Sequence, residues 1–156
     1  MDQRNEKKSC LKERKTEILN IDFNNFVSYK KTNITKEYTI GRPLGGGKLS
    51  DTRIATHKES GNKRAVKIIK KTNIDELKFS QIVDVLCSLS HPNILQIFEF
   101  FVDSKNYYIV QDVCSGGELI EQICDKGSFS ENKAANLMKQ ILSAIFYAHT
   151  HKIVHK

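Results

Sequence analysis

The stretch "LGGGKLSDTRIATH" places three glycines, a lysine and a serine between two strand-like runs. Lys67 follows within the apolar run "RAVKIIK". A glycine turn brings bare backbone N–H groups close to an anion, because no Cβ stands in the way. A lysine inside an apolar strand is costly without an anionic partner. In this order, the two features point to phosphate binding. A Walker loop requires G-x-x-x-x-G-K-[ST]. Counting back from Gly47-Lys48, Arg42 stands where the first glycine belongs, and Leu49 follows the lysine, so that loop is excluded. A dinucleotide-binding turn requires a helix after the glycines, whereas Asp51 to Thr56 reads as strand. What remains is a glycine loop between two strands, lying over nucleotide phosphates. Beside it stand a plain hairpin turn and a lysine that snorkels to solvent.

The elements that must position these residues follow from patterning. "YTIGRPLG", "DTRIATH" and "RAVKIIK" read as an antiparallel meander, because the "GNK" turn and the glycine turn are too short for crossovers. In "NIDELKFSQIVDVLCSLS", residues Ile74, Leu77, Ile82, Val85, Leu86 and Leu89 predict an amphipathic helix, with Asn73 and Glu76 capping its start and Pro92 ending it. Two more strands, "ILQIFEFFV" and "NYYIVQDV", precede a glycine turn and the short helix of "CSGGELIEQICDKG". A longer helix starts after Ser130, with Ala134, Ala135, Met138, Ile141, Leu142, Ile145 and Ala148 as its buried stripe. Residues 1–36 are polar and read as a mobile extension, in which Leu11, Ile18, Leu19 and Phe23 could mark one short docking helix.

The length of 156 residues suits a single domain with a core of useful size. A net charge of +7 is spread over the chain, with no aromatic-interleaved basic stripe, which argues against nucleic-acid binding. Cys10, Cys87, Cys114 and Cys124 form no C-x-x-C pair, so neither zinc nor a redox dithiol is indicated. A cytoplasmic, reducing location is expected from this and from the lack of a secretory leader. Asp2 excludes N-myristoylation, and no apolar run is long enough to span a membrane.

The motifs "LGGGKLSDTRIATHKESGNKRAVKIIKK", "LSHPNILQIFEFF", "YYIVQDVCSGGELIEQI" and "FSENKAANLMKQILSAIFYAHTHKIVHK" together resemble the calcium-dependent protein kinases, within the calcium/calmodulin-dependent kinase group. The resemblance runs from Tyr38 to Lys156. It implies an α+β fold: a kinase-like N-lobe, with a five-stranded antiparallel sheet and one main helix, followed by the first two C-lobe helices. The N-lobe would span about 37–113, with the hinge and the start of the C-lobe at about 114–156. It also implies ATP, with Mg²⁺, as the ligand. Gly45, Gly47 and Ser50 fall on the family's three glycine positions, within a loop that includes Gly46, Lys48, Leu49 and Asp51. Leu44 and Thr52 would cover the adenine, Thr52 standing where valine is usual, and Ala65 would lie over the ring. Lys67 would hold the α/β-phosphates. Gln111 would be the gatekeeper, while Asp112 and Cys114 would offer hinge backbone groups. Glu118 matches an acid that contacts ribose or a basic substrate residue, although an ordinary first-turn acid reads equally well.

Two departures bear on activity. The family's glutamate partner of Lys67 falls at Ile82, or at Gln81 with a one-residue shift. Asp84 lies about 200° around the helix and faces away. His155 and Lys156 match the start of the catalytic loop, and the catalytic aspartate, the metal-binding asparagine and the D-F-G segment are not among these residues. No EF-hand loop occurs either. The expectation is therefore a chain that holds nucleotide but transfers no phosphoryl group by itself. The alternatives are a non-catalytic binding module and a truncated remnant. The expected partners are a nucleotide and a protein covering the helix at 130–151.

Overall fold

The computed structural model describes residues 28–46 and 50–155. Its centre is a six-stranded sheet in the order β1-β5-β6-β4-β3-β2. The strands are β1 (Ser28–Lys30), β2 (Tyr38–Gly46), β3 (Ser50–His57), β4 (Lys63–Lys70), β5 (Ile97–Val102) and β6 (Asn106–Gln111). Three helices accompany it: α1 (Glu76–Cys87), α2 (Leu119–Lys126) and α3 (Glu131–Thr150). Five strands pair antiparallel, as the resemblance implied. The sixth, β1, is an addition: it pairs parallel with β5, setting Tyr29 opposite Phe100.

That strand corrects the reading of residues 28–36 as part of a mobile extension. Ile34, in a 3-10 turn at Ile34–Lys36, is 1% exposed and joins the core. Lys30 pairs with Glu37 and with Glu99 of β5, and its ammonium lies 5.2 Å from the Phe101 ring. Polar "SYK" carries no alternating apolar signal, so backbone pairing and these ion pairs define the strand. The rest of the extension, with Leu11, Ile18, Leu19 and Phe23, lies outside the described residues.

The strand period of two sorts the core onto the two faces of the sheet. One face carries Tyr38, Ala55, Val66, Phe101, Tyr108 and Val110, closed over by Ile34. The other carries Ile69, Ile97, Phe100, Tyr107 and Ile109, covered by Phe79 of α1. The Phe79 ring stacks on Tyr107 at 4.0 Å and meets Phe100 edge-on at 6.2 Å.

Of the apolar positions its spacing predicts, Ile74 and Leu86 pack against this cluster, and the centre of the contact lies outside that set. Phe79 is fully buried, with Val83, Leu86 and Cys87 beside it. Leu77 is 71% exposed, and Ile82 and Val85 face outward as well. The helix is apolar on two sides, and the aromatic pair on the sheet selects the Phe79 side. Its N-cap is Asp75, whose carboxylate accepts the Lys78 N–H at 2.8 Å, and not Asn73.

At the edge, β2 contains Pro43 and two register irregularities against β3. Helix α3 starts as expected, with the Ser130 hydroxyl accepting from the Lys133 N–H. None of its residues is buried: Met138, Ile141, Leu142 and Ile145 of its apolar stripe, and Phe146 beside them, all face outward, so the stripe is left uncovered. It ends in a reversal in which the Lys152 N–H donates to His149 and the Ile153 N–H to Ala148, with Lys152 at φ 59°. That pairing is the Schellman pattern, usually completed by glycine.

Candidate functional site

Register places the chemistry-bearing residues of the central strands together. Thr52 stands opposite Lys67 across β3 and β4, and Lys67 stands opposite Ile109 across β4 and β6. Ala65 stands opposite Gln111 in the same ladder. Thr52, Ala65, Lys67 and Gln111 thus share one face, the face that carries α1 farther along. Ala65 is buried, whereas Lys67, Thr52 and Gln111 are half-buried. The small Ala65 side chain keeps this part of the face shallow.

The glycine turn joins the same strands. Gly45 pairs with Thr52 and Gly46 with Asp51. A Cβ built on Gly45 would meet nothing within 4 Å, so open space lies beside that backbone. Leu44, just before it, is 38% exposed. Asp51 is held by Arg53 at 2.7 Å, and Ser50 begins β3. Gly47, Lys48 and Leu49 lie outside the described residues.

Lys67 has no ion pair among the described residues. Ile82, where the resemblance implied a glutamate, lines an apolar hollow of 440 Å³ together with Ile74, Lys78, Gln81, Val85 and Leu86. Gln81 thus lines the same hollow, and neither alignment brings a carboxylate onto this side of α1.

After β6 the chain runs through Asp112, Val113 and Cys114 toward α2. The Asp112 N–H donates to the Gln96 carbonyl at 3.0 Å, which fixes this connection to the start of β5. Among the described residues, the Asp112 carbonyl and the Cys114 N–H make no internal hydrogen bond, and Cys114 is exposed. A neighbouring brace went unread in the sequence: the Arg64 guanidinium sits 3.9 Å from the Phe98 ring and 3.7 Å from the Asp112 carboxylate. The register that sets Ala65 against Gln111 would have indicated it. Glu118 is exposed and precedes α2 as its N-cap, its own N–H donating to the Glu121 carboxylate.

A second unread feature ties α3 to the loop before β5. The Ser90 N–H donates to the Tyr147 hydroxyl at 3.1 Å, His91 Nε2 meets Ser143 Oγ at 3.0 Å, and the Asn93 side-chain amide donates to Gln140 at 3.2 Å. The rings of His91 and His151 both lie against Tyr147, at 5.1 and 4.2 Å. Beyond α3, His155 is exposed, and Lys156 lies outside the described residues. Among the described residues no group of three His, Cys, Asp or Glu side chains could hold a metal ion, and no helix is long and apolar enough to cross a membrane.

The protein kinase domain family matches residues 38–156. Calcium-dependent protein kinase 4 of Plasmodium berghei is 35% identical over 164 residues, covering 96% of this chain and 31% of the relative. Calcium-dependent protein kinase 5 of Plasmodium falciparum is 38% identical over 121 residues, 76% of this chain and 21% of the relative. Myosin light chain kinase A of Dictyostelium discoideum is 37% identical over 128 residues, 80% of this chain and 43% of the relative. The chain thus spans less than half the length of each of these relatives.

Proposed function

The chain belongs to the protein kinase family, and on that premise we propose that residues 38–156 are the ATP-holding part of a Ser/Thr protein kinase. The observation that carries this reading is the face shared by Ala65, Lys67 and Gln111, next to the glycine turn of β2 and β3. The open space beside Gly45, and a Lys67 and hinge groups without partners among the described residues, fit a nucleotide in chemical character: anion donors at one end, amide edges at the other. Leu44, Thr52 and Ala65 would enclose the adenine, with Gln111 behind it. The Asp112 carbonyl and the Cys114 N–H would meet the adenine edge. The backbone from Gly45 through Gly46, Gly47, Lys48, Leu49 and Ser50 to Asp51 would face the phosphates, and Lys67 would hold them. Glu118 would approach the ribose. Mg-ATP, when bound, supplies the phosphoryl group.

We further propose a division into an N-lobe at about 37–113 and the start of a C-lobe at about 114–156. His155 and Lys156 would open the catalytic loop. Transfer requires a positioned base and metal charge neutralisation, and no residue among 1–156 supplies either by motif. Residues 1–156 by themselves are therefore expected to bind nucleotide without transferring phosphate. A non-catalytic binding role is the second reading, and Ile82 in place of a carboxylate favours it. A cytoplasmic location is part of the same proposal.

The test is thermal stability of the chain with and without Mg-ATP, beside a radiolabel transfer assay. Expected are a midpoint rise with nucleotide that Lys67→Ala removes, and no transfer above that variant's level. No nucleotide-dependent rise in the folded wild-type chain would overturn the binding assignment. Transfer well above the Lys67→Ala level would overturn the inactivity of residues 1–156.

A further inference from the structure

On the outer side of α1, away from the hollow at Ile82, a groove of 600 Å³ runs between that helix and β1. Its walls include Tyr29 and Lys31 on one side and Glu76, Leu77, Ser80 and Val83 on the other, with buried Phe79 beneath. Leu77 at 71% exposure and Tyr29 at 45% leave this wall apolar and open. Isolated exposed leucines are ordinary, but an exposed leucine and tyrosine facing each other across a groove mark a docking surface.

We infer that this groove is occupied by an upstream segment of the same chain, residues 11–23. Three observations converge on that occupant. The chain enters β1 at Ser28, and the next residue, Tyr29, is itself a groove wall. Upstream, Leu11, Ile18, Leu19 and Phe23 recur at steps of seven, one and four, a spacing that would set them on one side of a helix. From Phe23 to Ser28 is five residues, a reach of up to roughly 17 Å, enough to bring Phe23 and Leu19 back over α1. Charge fits as well. The groove rim carries the Glu76 carboxylate and the Lys31 ammonium, neither in an ion pair among the described residues. The segment offers both signs in Lys12, Glu13, Arg14, Lys15 and Glu17. Tethering gives such a short link an effective concentration on the order of millimolar, which a free partner or a second copy would have to exceed. The segment would act as a brace on the outer face of α1.

The test uses the whole chain. A photoreactive benzoylphenylalanine at position 77 is accommodated, because that side chain projects into solvent. The expected result is a cross-link within one chain to residues 11–23, and a yield that Leu19→Asp lowers by at least about tenfold. A cross-link to a second chain, a cross-link mapping outside 11–23, or no cross-link in the folded chain overturns the inference, as does a yield unchanged by Leu19→Asp. Should the Leu19→Asp chain fail to fold, the map from the otherwise unaltered chain decides alone. Nucleotide binding plays no part in this readout, so the outcome is independent of the assignment of Lys67.

Discussion

The Ser90 N–H and the Tyr147 hydroxyl, 57 residues apart in sequence, form a hydrogen bond of 3.1 Å that fastens the loop after α1 to helix α3. The bond is partly buried and flanked by the His91 and His151 rings. It is a long-range tie for α3, which buries none of its own side chains.

Tyr147→Phe keeps the ring stacking and removes the acceptor. The Ser90 N–H is then left without a protein partner, at a cost of about 1 kcal/mol. Amide exchange across residues 88–96 should accelerate several-fold, while the sheet strands stay as protected as before. Unchanged exchange in this loop would show that the bond does not fasten it.

Ile82→Glu introduces a carboxylate at the position that the proposed alignment gives to the partner of Lys67. Ile82 is 36% exposed, so the change should alter stability by no more than about 0.5 kcal/mol. A charge-assisted pair with Lys67 would help to organise the phosphate end, and Mg-ATP affinity should rise by up to about tenfold. Isothermal titration of the two chains side by side measures this, and weaker binding by the variant would count against the alignment of Ile82 with the family's glutamate.

Asp103 closes the β5–β6 hairpin. Its carboxylate accepts from the Lys105 and Asn106 N–H groups at 2.7 Å each and from the Tyr108 hydroxyl at 2.6 Å. Partial burial raises its pKa, but these bonds outweigh burial and hold it below the ordinary carboxylate value. A depressed folded value means stability present above the unfolded pKa of about 3.9 and lost as pH falls through the folded value. Urea midpoints should therefore drop on acidification below about pH 4, and Asp103→Asn should flatten that drop. At neutral pH the variant should be less stable by about 1.5–3 kcal/mol, the worth of hydrogen bonds to a charged group. Burial, together with the bond to Asp103, pushes Tyr108 up to about 12. Its contribution is complete below the unfolded value of about 10 and fades as pH rises toward 12.

Lys152 occupies the left-handed position of the α3 terminus at φ 59°. A non-glycine residue there carries a steric cost of roughly 1–2 kcal/mol. Lys152→Gly removes that strain, against greater chain entropy in the unfolded state, and should stabilise the chain by about 0.5–1 kcal/mol in thermal or urea unfolding. Destabilisation would mean that the lysine stem contributes packing that outweighs the strain.

The sequence showed the glycine turn, the order of the strands, Lys67 on an inner strand and the Ser130 cap. Each of these is a local pattern with a local cause. It did not show which side of α1 is buried. Leu77, Ile82 and Val85 are as apolar as Phe79 and Val83, and the choice rests on Phe100 and Tyr107, which lie on strands distant in sequence. Strand β1 was hidden for a similar reason, since three residues paired through their backbone leave no side-chain period to read. The fastening of Tyr147 to Ser90 joins segments whose contact only the folded chain makes.

The two borders of the sheet are finished differently from its middle. One ends in β1, only three residues long and bearing a lysine, and the other in β2, interrupted by Pro43 and irregular pairing. Short, charged or proline-broken edges make poor templates for strand addition. Association between copies of this chain should therefore start from the open apolar side of α3 and give amorphous, thioflavin-negative aggregates rather than cross-β fibrils.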